Sequence, residues 1–166
     1  RKTDYGPIFR PLLFSAGGYF LTELSGRQSL SITGHVSWNP SIRLLWSFLH
    51  IRPHLGVAFL RSTADGNFFA ATQLGATVDL HFFDFLFGEA GVGGETWWSY
   101  GKLGPMGMAK TGFLLGRDSF FERLYFGASL YMQDAGAAGT RMFFSAHAGL
   151  GLQIPIGTKR NTQDQK

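Results

Sequence analysis

Residues 29 to 38 read SLSITGHVSW. Leu30, Ile32, Gly34, Val36 and Trp38 are apolar or small, and Ser29, Ser31, Thr33, His35 and Ser37 between them are polar. A period of two places these sets on opposite faces of a β-strand. In a soluble protein the apolar face points inward. In a membrane barrel it points outward, into lipid.

The alternation recurs in residues 70–81, 124–133 and 142–154. Weaker versions run through 9–22, 51–61, 87–98 and 106–116, which makes eight strands. Pro11 falls near the start of the first, where proline is tolerated. Residues 51–61 put Ile51, Leu55, Val57 and Phe59 outside and Arg52, His54, Gly56 and Ala58 inside. The connectors TELSGRQ, STADGN, SYGKLGPMG and QDAGAAGT carry turn formers. They alternate with aromatic connectors, LLWSFLH, HFFDFLFGE and GRDSFFERL. Two classes of loop in alternation indicate the two ends of one barrel. Residues 39–50 are too long for a tight turn. Asn39 and Pro40 suit the start of a short interfacial helix, the favoured reading, and the same residues also suit an extension of the third strand, 51–61.

The polar face decides the orientation. It carries His35, Arg52, His54, Asp79, His81, Glu89, Glu95, Lys110 and His147 among Gly, Ser and Thr. A soluble surface would carry many long Lys and Glu side chains there. Only 16% of all residues are charged, against about 25% in an average soluble domain. An apolar face turned to lipid and a polar interior filled by side chains satisfy both patterns. Aromatics at the strand ends agree. Trp38, Trp46, Phe48, Phe82, Phe83, Phe85, Phe120 and Phe121 gather at one set of turns, and Tyr19, Phe20, Phe68, Trp97, Trp98 and Tyr100 toward the other. Two such girdles mark the two interfaces of a bilayer. Of these, Trp38, Trp46, Phe83, Phe85, Trp98, Tyr100, Phe120 and Phe121 are the expected interface anchors.

The chain therefore reads as all-β, an eight-stranded antiparallel transmembrane up-and-down barrel over residues 1–156, with a short polar tail at 157–166. No stretch approaches the ~20 apolar residues of a transmembrane helix. The absence of cysteine fits a chain without disulfides or thiolate metal sites. Lys and Arg are scattered, leaving no nucleic-acid footprint at a net charge of +4. The start at Arg1 suits a mature exported chain and equally a trimmed one.

In strand count and patterning, residues 8–156 resemble the small outer-membrane barrels of Gram-negative bacteria, such as the OmpA transmembrane domain, OmpX and OmpW. The resemblance implies an outer-membrane location, outer-membrane lipids and lipopolysaccharide as surroundings, and both termini in the periplasm. The aromatic turns would then be periplasmic. One departure stands out: the last strand of that family often ends the protein at an aromatic residue, whereas LGLQIPIG is followed here by TKRNTQDQK.

Centring the fourth turn on residues 82–86 sets Asp79 opposite Glu89 and Gln73 opposite Glu95. Facing carboxylates repel unless a cation sits between them or one is protonated. Arg52, His54 and His81 are the candidates for Asp79, and Lys110 for Glu95. His35 and His54 meet if residues 44 and 45 centre the second connection. A salt-bridged plug is the favoured reading of this set, with a narrow gated pore as the alternative. Barrels of this size also include lipid A deacylases and palmitoyltransferases, which use Ser and His. Ser145 and His147 share an inward face, and Glu89 or Glu95 would complete a triad. A nucleophile acting on lipid must reach lipid, so no catalytic residue is expected. The glycines of GVGGETWW lack the helix and Lys-Ser/Thr pair of a phosphate loop. No cofactor or metal is expected, since His54 and His81 ligate an ion only if they converge. The wall, with small residues such as Ala146 and Ala148, also suits docking to other outer-membrane or periplasmic proteins. The expected role is structural or accessory.

Overall fold

The structure, a computed structural model, describes residues 9–24, 31–44, 48–61, 66–98, 101–116, 119–134, 137 and 139–154. Ten strand segments form eight antiparallel staves. They are β1 (Phe9–Arg10), β2 (Leu13–Glu23), β3 (Ser31–Trp38), β4 (Ser41–Arg43), β5 (Leu49–Arg61), β6 (Phe68–Phe82), β7 (Leu86–Trp97), β8 (Leu103–Leu114), β9 (Phe121–Asp134) and β10 (Thr140–Gln153). β1 and β2 make one stave, interrupted at Pro11, which has no N–H to give to a ladder. β3 and β4 make the second, interrupted at Asn39–Pro40. Each later strand is one stave.

Neighbours in sequence pair around the ring, and β10 pairs with β2. That pairing closes the barrel, so every stave has a hydrogen-bonded neighbour on each side. Where residues 39–50 are described, β4 continues the second strand and pairs with β5. The expected extension of the third strand holds at Leu49 and His50, where β5 begins, while Ser41–Arg43 instead lengthen the second strand, and the described residues of this segment contain no helix. Pro40 ends the β3 ladder without starting a helix, because β1 and β5 offer Ser41–Arg43 partners on both sides.

The turn between β6 and β7 is tight. Phe82 pairs with Leu86, and Phe83 and Asp84 both have positive φ, 53° and 61°. Consecutive left-handed residues match the twist of a hairpin. Phe83 projects outward there, 81% exposed.

Burial follows strand parity and inverts the soluble pattern. Val36, Leu55, Phe59, Leu74, Val78, Val92, Phe126 and Leu130 are exposed on the outer face. Arg52, His54, Asp79, Glu89, Glu95 and Lys110 are buried in the lumen. β9 breaks this parity once. Arg123 pairs with Gly151 and Phe121 with Leu152, so Glu122 is an extra residue in the ladder. This β-bulge turns two successive side chains, Glu122 and Arg123, into the lumen.

Candidate functional site

The lumen is filled in three layers. The first lies near the Phe83–Phe85 turn and is ionic. Asp79 of β6 and Glu89 of β7 face each other in register, as do Gln73 and Glu95. The Arg52 Nε atom lies 2.8 Å from Asp79 Oδ2, and its other end reaches Glu122 Oε1 at 2.7 Å. Arg123 contacts Asp79 at 2.9 Å, Glu122 at 2.9 Å and Glu89 at 3.4 Å. Its guanidinium also lies over the Phe87 ring, 4.1 Å from the centroid. Lys110 reaches Glu89 at 3.3 Å, and the Thr77 hydroxyl donates to the same carboxylate at 2.7 Å. Three carboxylates thus meet three cations, and the layer balances in charge. Each of these ions is almost fully buried, where an unpaired charge is strongly unfavourable.

The middle layer is polar, and Glu95 is its carboxyl group. A chain of hydrogen bonds runs part-way around the wall. Ser15 and Ser37 donate to Asn39 Oδ1 at 2.6 and 2.7 Å. Asn39 Nδ2 lies 2.6 Å from His54 Nδ1, and His54 Nε2 lies 3.4 Å from Gln73 Oε1. Gln73 Nε2 and Trp97 Nε1 then donate to Glu95 at 2.8 and 2.6 Å. If Asn39 donates to Nδ1, the proton of His54 sits on Nε2. Across the lumen, Tyr125 Oη and His35 Nε2 are 2.6 Å apart. The rings of Tyr19, His35, Tyr125 and His147 gather around the same axis. Gly127 makes room for them: a Cβ there would fall 2.3 Å from His147 Nε2 and 2.8 Å from Lys110 Cγ.

The third layer is apolar. Trp97, Tyr131 and Phe143 pack ring against ring, with centroids 4.7–5.9 Å apart, beside Leu21, Met106 and Met108. Arg141 closes over Phe143 and bonds Glu23.

Several expected relationships are corrected. Lys110 pairs with Glu89, its register partner, and Glu95 stands opposite Gly104. Among the described residues, Glu95 has hydrogen-bond donors and no ion-pair partner. His35 stands opposite Ala58 and not opposite His54, because the pairing of Arg43 with His50 shifts the centre of the connection toward β5, although both histidines line the central cavity. His54 bonds amides and reaches neither Asp79 nor His81. Tyr19 and Trp97 are buried in the lumen and belong to no girdle. Ser145 bonds Ser129 Oγ, and both ring nitrogens of His147 are without a hydrogen-bond partner, so the imagined triad is not connected.

The remaining anchor positions sort simply. Trp38, Phe83, Phe85, Trp98, Phe120 and Phe121 are exposed at strand ends and turns. Trp46, Tyr100 and the tail 157–166 lie outside the described residues. Sequence reasoning missed Glu122 and Arg123 because they sit in a segment assigned to a connector. It also missed Met106 and Met108 inside, although both share the parity of Lys110.

No family model and no curated protein matches the chain. Two solved structures are similar to it. One comes from the de novo design of transmembrane β-barrels, with a TM-score of 0.47, 8% identity, and coverage of 87% of this chain and 97% of the other. The second is the solution NMR structure of the de novo designed TMB2.3, with a TM-score of 0.47, 12% identity, and coverage of 87% and 95%.

Proposed function

We propose that this protein is an integral barrel of the Gram-negative outer membrane, of the general kind of OmpA, OmpX and OmpW, with a plugged interior and a structural or accessory role. The observation that carries this reading is the inside-out wall. Large apolar side chains such as Leu74, Val78, Val92, Phe126 and Leu130 are exposed in mid-strand, while the exposed charges Arg61 and Asp134 stand at strand ends. An apolar band of that size in water drives aggregation. In lipid it is the stable outer surface, and the closed ladder satisfies the backbone. Strands of 11 to 15 residues on most staves are long enough for the 9–11 residues of a tilted span. Outer-membrane lipids and lipopolysaccharide are then its immediate surroundings.

The filled lumen supports a plug in preference to a pore, since the ionic layer and the apolar layer each close the bore. Ser145 is buried inside and bonded to another serine, which favours a non-catalytic role over lipid modification. A second reading, a subunit of a larger outer-membrane complex, is favoured by one feature of the wall. Ala90, Ala109, Ala128 and Ala146 stand side by side across four adjacent strands and leave a shallow, small-residue belt for close packing.

The test is refolding of the full chain from urea with and without phospholipid vesicles. The reading predicts a protease-resistant, β-rich species only in vesicles or detergent. A stable soluble monomer in plain buffer would refute it.

A further inference from the structure

We propose that His50, His81 and Asp79 form a binding site for a divalent transition-metal ion of the zinc, nickel or copper class at the mouth of the barrel. His50 of β5 stands directly opposite Asp79 of β6, and His81 follows Asp79 by two residues on the same inward face. One ligand atom from each of the three lies within 4.8 Å of the others. The two imidazole rings approach to 4.4 Å between centroids.

The free valences point to a ligand. Asp79 uses Oδ2 for Arg52, Arg123 and His81, while its Oδ1 is buried with no hydrogen-bond partner. The Nδ1 atoms of His50 and His81 are also buried and without a partner. His81 turns its other nitrogen, Nε2, to the Asp79 carboxylate at 3.1 Å. That nitrogen and that carboxylate oxygen stand close enough for one ion to take the place of the proton between them. The two guanidiniums fix the Asp79 carboxylate and draw charge from it, so they weaken the site while holding its geometry. Two imidazoles and one carboxylate select borderline cations over calcium or magnesium, which take oxygen ligands. Both rings are partly exposed at the mouth, so an ion enters from solution and keeps water in its remaining positions.

The experiment uses the folded full chain without a histidine tag. Zn²⁺, Ni²⁺ and Co²⁺ are titrated in turn, with Mg²⁺ as the control. Saturable one-to-one binding is expected for the first three. Binding weakens by about tenfold or more in His50→Asn and in His81→Asn, and is unchanged in His147→Asn. Imidazole NMR signals of the wild-type chain give a reading that needs no variant: Co²⁺ or Ni²⁺ should broaden His50 and His81 before His35, His54 and His147. Absence of saturable binding to the wild-type chain would overturn the proposal. So would broadening centred on another histidine, or binding that both variants retain in full.

Discussion

Arg52 and Glu122 meet at 2.7 Å although their strands stand on opposite sides of the barrel. β5 is the third stave and β9 the seventh of eight, so this ion pair is a strut across the lumen. Removing one member leaves a buried charge without its partner. Arg52→Met is expected to lower unfolding stability by about 3–5 kcal/mol. The Arg52→Met/Glu122→Met double variant should lose less than the sum of the two single variants, since the pair is removed together. Urea unfolding in vesicles measures both. Additive losses would show that the strut is not coupled.

Arg123 is the hub of the same layer, with Asp79, Glu89 and Glu122 all within 3.4 Å. Because these atoms are screened from solvent, raising salt should leave stability nearly unchanged. The exposed pair Lys102–Asp134, at 3.6 Å, is the contrast. Lys102→Ala is expected to change stability by less than about 0.5 kcal/mol, whereas Arg123→Met should be as damaging as Arg52→Met. Parallel denaturant curves at low and high salt check this.

Gly127 and Gly107 separate the crowded lumen from the open wall. Gly127→Ala drives a methyl group into His147 and Lys110, and about 1–3 kcal/mol should be lost. Gly107→Ala meets nothing within 4 Å and should be close to neutral. Adding His147→Ala to Gly127→Ala should restore part of the loss. Equal stability of the two glycine variants would contradict the packing described.

Two closures in series predict electrical silence. The wild-type protein in a planar bilayer should show no steady conductance steps. Trp97→Ala should remain silent, because the ionic layer around Arg123 still blocks the bore. Stable open steps in the wild type would restore the pore reading.

Most of the barrel was legible from alternation, since parity alone assigns a face once a strand is recognised. The Asp79–Glu89 and Gln73–Glu95 registers followed from a short turn whose centre the sequence marks. Registers across longer connections were not legible in this way. Lys110 was expected at Glu95 because the β7–β8 connection hides its centre, and His35 was expected at His54 for the same reason. Glu122 and Arg123 were hidden by the bulge, where two neighbours share a face and alternation gives no signal. The lumen aromatic Trp97 shares parity with the buried Glu89 and Glu95, but its side-chain type suggested an interface, whereas Phe143 falls on the inward face by alternation. Here the chain fills one end of its polar bore with rings.

The central claim is that the apolar face meets lipid. The chain has no native cysteine, so single spin labels can be placed at Leu74, Val78, Val92 and Leu130 in protein folded into vesicles. Accessibility to oxygen, which partitions into the bilayer, is then compared with accessibility to a water-soluble nickel complex. The account predicts high oxygen and low nickel accessibility at all four sites, with oxygen accessibility falling for labels at Phe83 and Phe68 near the two ends. High nickel accessibility at Leu74, Val78, Val92 and Leu130 would place that face in water and contradict the account.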